Sequence, residues 1–422
     1  MNIVNPRSFA VWGPVFAFTM MVNTLVVASE ITSKAPASLS SFILRFINDH
    51  PDLIVAKAQL GSAKAILRAS DQAVFNPQLE FEYEETDVTT KSIGIRQTID
   101  WGDQQGSRKA VSKAELHKAE ADYAIATQSL ISDLLKHLAE KQTKSKLSNL
   151  SDETLKLMKE FKDISERRYL AGDLSQVELN LARLAYNQAL MEQANMMSDM
   201  SAAREKLRAL TGSMPDHIPA LPELFFEPKL NHNLEVFIQK LPAIRSLLAD
   251  TQVTKQQVLL RKSETAWNPT IGISAGSEGD ESLVGLNLSI PLNIRNNYSA
   301  EVDAAQQVFI ASEQRTHMAY RDTRANLIAT TERYRNLLNA WNNWRDYSGD
   351  NVQQQLRLIK KLWRAGDLSA SEYLLQLKQA LETQATGVEL RNQLWLVAFD
   401  WMSMTDSIDD WLGINIELLG NS

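Results

Sequence analysis

The sequence predicts a mainly α-helical fold that carries a membrane β-barrel and is built from two copies of one unit. Each copy consists of a helix, two strands, a long helix, a turn and a returning helix. Pro51, Pro77 and Gly172 of the first copy return in the same order in the second copy, with offsets of 191, 192 and 194 residues. Their counterparts are Pro242, Pro269 and Gly366. A repeat at nearly constant spacing indicates a tandem duplication, so each half supplies the same structural unit.

Composition and charge exclude several classes of function. The 422 residues are 44% hydrophobic and 23% charged, which is typical of an ordered protein of two or three domains. The net charge is −7 and the chain has no long Lys/Arg block, so we expect no nucleic-acid partner. The chain has no cysteine, which excludes thiolate catalysis, Cys-ligated metals and disulfide bonds.

The sequence shows no pattern of catalytic or metal-ligating side chains. The histidines lack the i, i+4 pairing that is typical of metal ligands. They are His50, His117, His137, His217, His232 and His317. No nucleophile or acid–base constellation stands out either. We therefore predict no enzymatic activity, no bound metal and no cofactor.

The amino terminus resembles a secretory signal. Arg7 precedes a largely apolar run over residues 9–28, and Val26-Val27-Ala28 suits a signal peptidase. We predict a signal peptide at residues 1–28 that is cleaved during export. An uncleaved membrane anchor is the alternative, because the run is about long enough to span a bilayer.

In each half, helical periodicity gives way to strand periodicity at an Asn-Pro pair. Apolar residues keep helical spacing over residues 41–73, which predicts one helix that ends before Asn76-Pro77. Apolar and polar residues then alternate, and the second half repeats this pattern more weakly. The predicted strands cover residues 78–85, 92–100, 270–276 and 283–290. Strands of about this length cross a membrane when they are tilted.

Two long proline-free stretches follow the strand pairs. Residues 102–168 and 297–364 each predict a helix about 100 Å long. Both helices end at Ala-Gly-Asp-Leu-Ser, where Gly suits a left-handed C-cap and Asp or Ser suits the next N-cap. Returning helices are predicted over 175–211 and 369–404. The Trp-rich second half is expected to pack around the equator of the resulting helical tube.

The prolines after residue 214 mark a connector between the halves. We divide the chain into a signal peptide (1–28), a first repeat (29–228), a second repeat (229–411) and a carboxyl-terminal tail (412–422).

The predicted strands require further copies of the chain. Two isolated hairpins with apolar faces are not stable in water, and four strands do not close a useful barrel. We expect a homotrimer, because three subunits pool twelve strands into one closed β-barrel and their helices into an α-barrel. The polar strand faces would then line water and the apolar faces would contact lipid.

These features resemble one family. The duplicated unit, the Asn-Pro strand starts and the two Gly-containing tips are similar to the TolC-like outer membrane efflux proteins of Gram-negative bacteria. Residues 168–175 and 363–369 most resemble the heavy-metal efflux branch that includes CzcC.

The resemblance implies an outer membrane channel with an α-barrel that extends through the periplasm. It implies a passive exit duct in a tripartite efflux system, with heavy-metal cations as candidate substrates. The implied partners are outer membrane lipid, a periplasmic membrane-fusion adaptor and an inner-membrane pump of the RND type.

The resemblance also points to site residues. It places the periplasmic entrance and the adaptor-docking grooves at the two tips, and plain chain reversal is the alternative role. The tip residues are Ala171, Gly172, Asp173, Leu174 and Ser175, with Ala365, Gly366, Asp367, Leu368 and Ser369. Glu178 and Glu372 lie where the family places acidic gating residues, and a solvated helix surface is their alternative role. The family has a second acidic residue three positions later, where this chain has Leu181 and Leu375.

A second class of function explains part of the pattern. A soluble periplasmic coiled-coil scaffold or adaptor would account for the long helices and for the lack of catalytic residues. It would not account for two pairs of alternating strands that each begin after Asn-Pro.

Overall fold

The computed structural model describes residues 34–213, 217–230 and 233–414, without the side chains of 347–350. The predicted signal peptide and most of the predicted tail lie outside these residues. The helices and strands are α1 (Ala37–Ile47), α2 (Pro51–Ser70), β1 (Gln78–Glu85), β2 (Thr89–Thr98), α3 (Gln104–Leu170), α4 (Gln176–Thr211), α5 (Leu234–Lys240), α6 (Pro242–Glu264), β3 (Thr270–Glu278), β4 (Glu281–Ser289), α7 (Ser299–Ala365), α8 (Ala370–Met404) and α9 (Ile408–Leu412).

The first helix of each repeat is broken in two, so the prediction of one continuous helix over residues 41–73 is wrong. The break falls before Pro51, and its counterpart falls before Pro242. His50 and Leu241 take extended backbone angles, with ψ of 132° and 137°. A residue that precedes proline avoids the helical region, whereas proline itself is well suited to the first helical position. The repeated proline therefore starts α2 and α6 as separate helices.

The four strands form one antiparallel sheet in the order β1-β2-β3-β4. The hairpin of the first repeat pairs with the hairpin of the second through β2 and β3. Leu79, Ile95, Ile273 and Leu286 are aligned across all four strands. The next aligned row on the same face consists of Phe81, Ile93, Ala275 and Val284. The predicted alternation thus places two apolar rows on one face of the whole sheet.

The opposite face of the sheet is polar. Arg96 forms an ion pair with Glu80 on the neighbouring strand. The Ser92 hydroxyl donates a hydrogen bond to the Glu82 carboxylate at 3.1 Å. Because side chains alternate between faces, this set occupies the positions between the apolar ones.

The strands extend further toward their connecting turns than the sequence predicts. β2 begins at Thr89, and only a two-residue gap separates β3 from β4. Gly279, in that gap, has φ of +59° and donates its backbone N–H to the Thr89 carbonyl at 3.0 Å. This tight turn lets the ladder continue to Glu278 and Glu281.

The helices α3 and α7 contain 67 residues each. At 1.5 Å per residue, a helix of that size is about 100 Å long. Each long helix is followed by a turn and a returning helix, so α3–α4 and α7–α8 form two helical hairpins. No described helix has a stretch that is long and apolar enough to span a membrane.

Two apolar clusters hold the helices together. The larger one contains residues of all nine described helices and of the connector, with Trp401 and Trp411 among them. The smaller one lies near the tips of the two hairpins and contains Phe161, Trp363 and Tyr373; we call it the tip cluster. Trp363 therefore does not lie with the other buried tryptophans, and the expectation that the Trp-rich second half packs around the equator of the tube is wrong for this residue.

Candidate functional site at the two hairpin tips

The long helices α3 and α7 end in the same backbone motif at the two tips. Gly172 and Gly366 have φ of +83° and +87°, a region that side chains with a Cβ rarely adopt. The N–H of Asp173 donates to the Arg168 carbonyl at 2.9 Å, and that of Asp367 donates to the Leu362 carbonyl at 3.0 Å. These bonds, with those from the glycine N–H groups, form Schellman motifs that satisfy the last carbonyls of α3 and α7.

The returning helices start with matching capping boxes. The Ser175 hydroxyl accepts the Glu178 N–H at 3.2 Å, and the Glu178 carboxylate accepts the Ser175 N–H at 3.0 Å. Ser369 and Glu372 repeat the arrangement at 3.3 and 3.0 Å. Both carboxylates also accept a hydrogen bond from the serine hydroxyl. The pattern Ser-x-x-Glu in the sequence is the signal that predicts this device.

The capping hydrogen bonds favour the ionised form of both glutamates. For Glu178, the Ser175 backbone N–H followed by the Ser175 hydroxyl lowers the pKa of the carboxyl. For Glu372, the Ser369 hydroxyl followed by its backbone N–H does the same. Glu372 is exposed to solvent. The proposed gating role of these residues stays a prediction, and the structure adds a local role as caps.

The tip residues differ in exposure. Most of the ten are exposed, whereas Leu174 and Leu368 are partly buried against the tip cluster. The leucine of each Ala-Gly-Asp-Leu-Ser sequence thus anchors the turn to the helices below it. The exposed residues leave the polar part of each tip available for a partner, and docking at these positions stays a prediction.

Three aromatic rings form the centre of the tip cluster. The Trp363 and Tyr373 rings stack with centroids 5.1 Å apart and an interplanar angle of 21°. Phe161, from the first repeat, meets Trp363 edge-on at 5.2 Å. Burial raises the pKa of Tyr373 to about 12, so its hydroxyl stays protonated at physiological pH. The cluster joins α3 to α7 and α8.

Polar contacts around this cluster also connect the two repeats. The Arg168 guanidinium donates to the Trp363 carbonyl at 2.8 Å. Glu160 forms ion pairs with Lys360, at 2.5 Å, and with Arg364. Burial alone would raise the pKa of Glu160, but hydrogen bonds from Lys360 and Arg364 outweigh that effect and lower it. The sequence does not predict these ion pairs, because nothing near Glu160 on the chain indicates a partner two hundred residues away.

The two tips are not equivalent in their surfaces. Tyr169 takes the position in the first repeat that Trp363 takes in the second, yet Tyr169 is 38% exposed and Trp363 is 1% exposed. Leu170 and Val177, beside the first tip, are 84% and 78% exposed. The first tip therefore presents apolar side chains to solvent that the second tip lacks.

The described residues contain no group of three or more His, Cys, Asp or Glu side chains that could hold a metal ion. His117 and His137 lie beside Glu120 and Glu140 on α3, at 3.2 and 3.5 Å. Each of these contacts joins one histidine to one carboxylate of its own helix.

Comparisons with known proteins agree with this architecture. The family model described as outer membrane efflux protein matches residues 44–213. A comparison with curated protein sequences gives no match. Both the family model and the solved structures below confirm the resemblance predicted from the sequence, whereas the narrower CzcC branch stays a prediction.

Several solved channel structures have the same fold. The Campylobacter jejuni CmeC outer membrane channel matches with a TM-score of 0.74 at 12% identity, over 98% of this chain and 99% of that chain. The open state of the Neisseria gonorrhoeae MtrE outer membrane channel gives 0.72 at 15% identity, over 88% and 89%. The Vibrio cholerae outer membrane protein VceC gives 0.71 at 14% identity, over 87% and 96%.

Proposed function

We propose that this chain, which has the fold of the TolC-like outer membrane channels and matches the outer membrane efflux protein family over residues 44–213, is the passive exit duct of a tripartite efflux system. It lies in the outer membrane, and its helices extend into the periplasm. The observation that carries the proposal is the apolar face of the four-stranded sheet.

That face is exposed in the single chain. Leu79, Ile95, Ile273 and Leu286 form one aligned row and are 60%, 50%, 58% and 84% exposed. Soluble proteins rarely leave a continuous apolar patch of this kind in water. Contact with the hydrocarbon of a membrane removes the free-energy cost of exposing this patch to water. The apolar face therefore fits outer membrane lipid.

The sheet also has two edges to close. Among the described strands, β1 and β4 each pair on one side only. Unpaired backbone groups are costly in hydrocarbon, and barrels avoid them by closing on themselves. Three copies of the chain would join β4 of one subunit to β1 of the next and produce twelve strands. The homotrimer is therefore part of the proposal.

The helical hairpins supply the periplasmic half of the duct. Their tips carry exposed polar turns and, in the first repeat, exposed Leu170 and Val177. Such a mixed surface suits a protein partner, and we assign it to a periplasmic membrane-fusion adaptor that links the duct to an inner-membrane pump. Substrate choice would then belong to the pump. The part of the proposal that names heavy-metal cations as substrates is supported by the sequence of the tips alone.

A soluble coiled-coil scaffold explains the helical hairpins but leaves the apolar sheet face without a role. Cell fractionation separates the two functions. We expect heat-modifiable trimers in the outer membrane fraction, a trimer by native mass spectrometry in detergent, and ion conductance in planar bilayers. A soluble periplasmic protein without conductance would support the scaffold and contradict the duct.

A further inference from the structure

A cavity lies away from the tips, where α3 meets α7, α8 and the connector between the repeats. Its volume is about 380 Å³. We call it the indole pocket and define it by six of its lining residues, which are Lys146, Glu223, Trp341, Trp344, Arg391 and Trp395. None of these residues takes part in the tip contacts described above. The pocket draws its walls from both repeats.

One wall of the pocket is flat and aromatic. The rings of Trp341 and Trp344 are stacked with centroids 5.3 Å apart and an interplanar angle of 19°. Trp344 lies directly on the α8 backbone at Gly387, where an added Cβ would come within 2.1 Å of its Cζ2 atom. Gly387 therefore permits the position of this ring. These indoles give the pocket an apolar aromatic wall against which a planar apolar group can pack.

The pocket has hydrogen-bond donors in excess. Within the described residues, the indole Nε1 atoms of Trp341, Trp344 and Trp395 have no hydrogen-bond partner. The same holds for Nε of Arg391. All four groups are donors, and buried polar groups in proteins are nearly always paired. An unpaired buried donor is unfavourable, and these four lie within the walls of the pocket.

Positive charge also exceeds negative charge around the pocket. Lys146 and Arg391 face Glu223, which is 81% exposed and lies 3.8 Å from Arg391. The charge of Glu223 also acts on Lys146, although no ion pair joins the two among the described residues. Partial burial of its side chain, followed by the charge of Arg391, lowers the pKa of Lys146. Burial also lowers the pKa of Arg391. Like charges held together in this way are stabilised by an anion.

We propose that the indole pocket binds a small aromatic carboxylate. Its ring would pack against the indoles of Trp341 and Trp344, and its carboxylate would accept charge-assisted hydrogen bonds from Lys146 and Arg391. This binding site is distinct from the conduit that the proposed duct function requires. Because the pocket joins α3 to α7 and α8, the bound anion ties the two repeats together and stabilises the folded chain.

Isothermal titration calorimetry on the full-length protein in detergent tests the site, with 2-naphthoate as the probe. We expect saturable binding that Lys146→Gln weakens by about tenfold, the effect of losing one charge-assisted hydrogen bond. Lys146 is exposed and makes no hydrogen bond among the described residues, so this variant is expected to fold normally. Lys156→Gln is the matched control, since Lys156 is an exposed lysine of α3 outside the pocket, and it should bind like the parent protein.

The neutral analogue 2-naphthalenemethanol tests how much the carboxylate charge contributes to binding, apart from the aromatic ring. It should bind at least about tenfold more weakly than 2-naphthoate, because it lacks the charge-assisted bonds. Gly387→Ala should weaken naphthoate binding by displacing Trp344, with circular dichroism as the check on folding. Absence of saturable binding, equal affinity in Lys146→Gln, or equal affinity for the neutral analogue would each overturn the proposal.

Discussion

The Arg168 guanidinium lies over the Trp363 indole, 4.4 Å from the ring centroid, and donates to the backbone carbonyl of the same residue. One arginine at the end of α3 therefore holds the last turn of α7 by two different interactions. The two hairpins come from different repeats, so this contact fixes one tip relative to the other.

Replacing Arg168 with alanine should loosen the contact between the hairpins. The lost cation–π contact and hydrogen bond together amount to about 1–2 kcal/mol. We expect faster hydrogen exchange in residues 161–175 and a larger single-channel conductance. Arg167→Ala is the matched control, because Arg167 is exposed and has no ion pair among the described residues. Identical exchange in the two variants would show that the contact does not hold the tips.

Glu160→Gln should weaken the same junction in a pH-dependent manner. The folded-state pKa of Glu160 is lowered, so its contribution is fully present above the unfolded-state pKa and is lost as the pH falls through the folded-state value. Because its partners are partly exposed, we expect a difference of at most about 1 kcal/mol at neutral pH.

Denaturation of Glu160→Gln and the parent protein across this range measures the difference. The two proteins should converge at acidic pH. Glu153→Gln changes an exposed carboxylate of the same helix and should show no such convergence. A stability difference that does not depend on pH would mean that Glu160 acts by packing alone.

The Glu372→Gln variant distinguishes a gating role of Glu372 from its capping role. Glutamine preserves the capping geometry but removes the charge, so the helix start should persist. If three Glu372 carboxylates line the entrance, the variant should change single-channel conductance and divalent-cation block in planar bilayers. Ser369→Ala is the comparison, since it removes the cap at a cost of about 1 kcal/mol and keeps the charge. Unchanged conductance and block in Glu372→Gln would leave this residue with the capping role only.

Leu286→Arg should impair membrane insertion, whereas Asn287→Arg should be tolerated. Leu286 belongs to the apolar row, and Asn287 pairs with Gly272 on the opposite face. A charged residue on the lipid face costs about 2–4 kcal/mol near the midplane of the bilayer. The yield of folded trimer in the outer membrane measures the effect. Equal yields for the two neighbouring substitutions would contradict the assignment of the faces.

Gly366→Val should distort the second tip and uncouple export without abolishing trimers. The φ of +87° is unfavourable for a β-branched residue by about 1–2 kcal/mol. Gly172→Val should act in the same way at the first tip. Gly61→Val is the matched control, because Gly61 lies within α2 and an added Cβ meets no atom within 4 Å. Crosslinking to the adaptor together with an export assay would detect the change, and full export in both tip variants would argue against docking there.

The parts of the structure that depend on residues close together in the sequence could be predicted from the sequence. Alternating side chains indicated the sheet, and glycines at equivalent places indicated the two tips. The capping boxes are also encoded locally, by the pattern Ser-x-x-Glu at the start of each returning helix. The break before Pro51 was missed because the apolar spacing continues across it, whereas the backbone restriction before proline interrupts the helix.

Contacts between the repeats could not be predicted in this way. The positions of Glu160 and Arg168 relative to Trp363 depend on how two hairpins pack side by side, and no local pattern encodes that. The same limit applies to the indole pocket, whose walls come from three helices and the connector. Sequence identity between the two tips also concealed the difference between exposed Tyr169 and buried Trp363.

The pairing of β2 with β3 constrains the order in which the molecule can assemble. The hydroxyls of Thr98 and Thr270 meet at 2.8 Å across a sequence separation of 172 residues. The amino-terminal hairpin is synthesised first, but its inner strand has no partner in the second repeat until β3 has emerged. Pairing over such distances is slow and leaves strands exposed to aggregation. The sheet is therefore a late product of folding, and the newly made chain needs protection until its second half is complete.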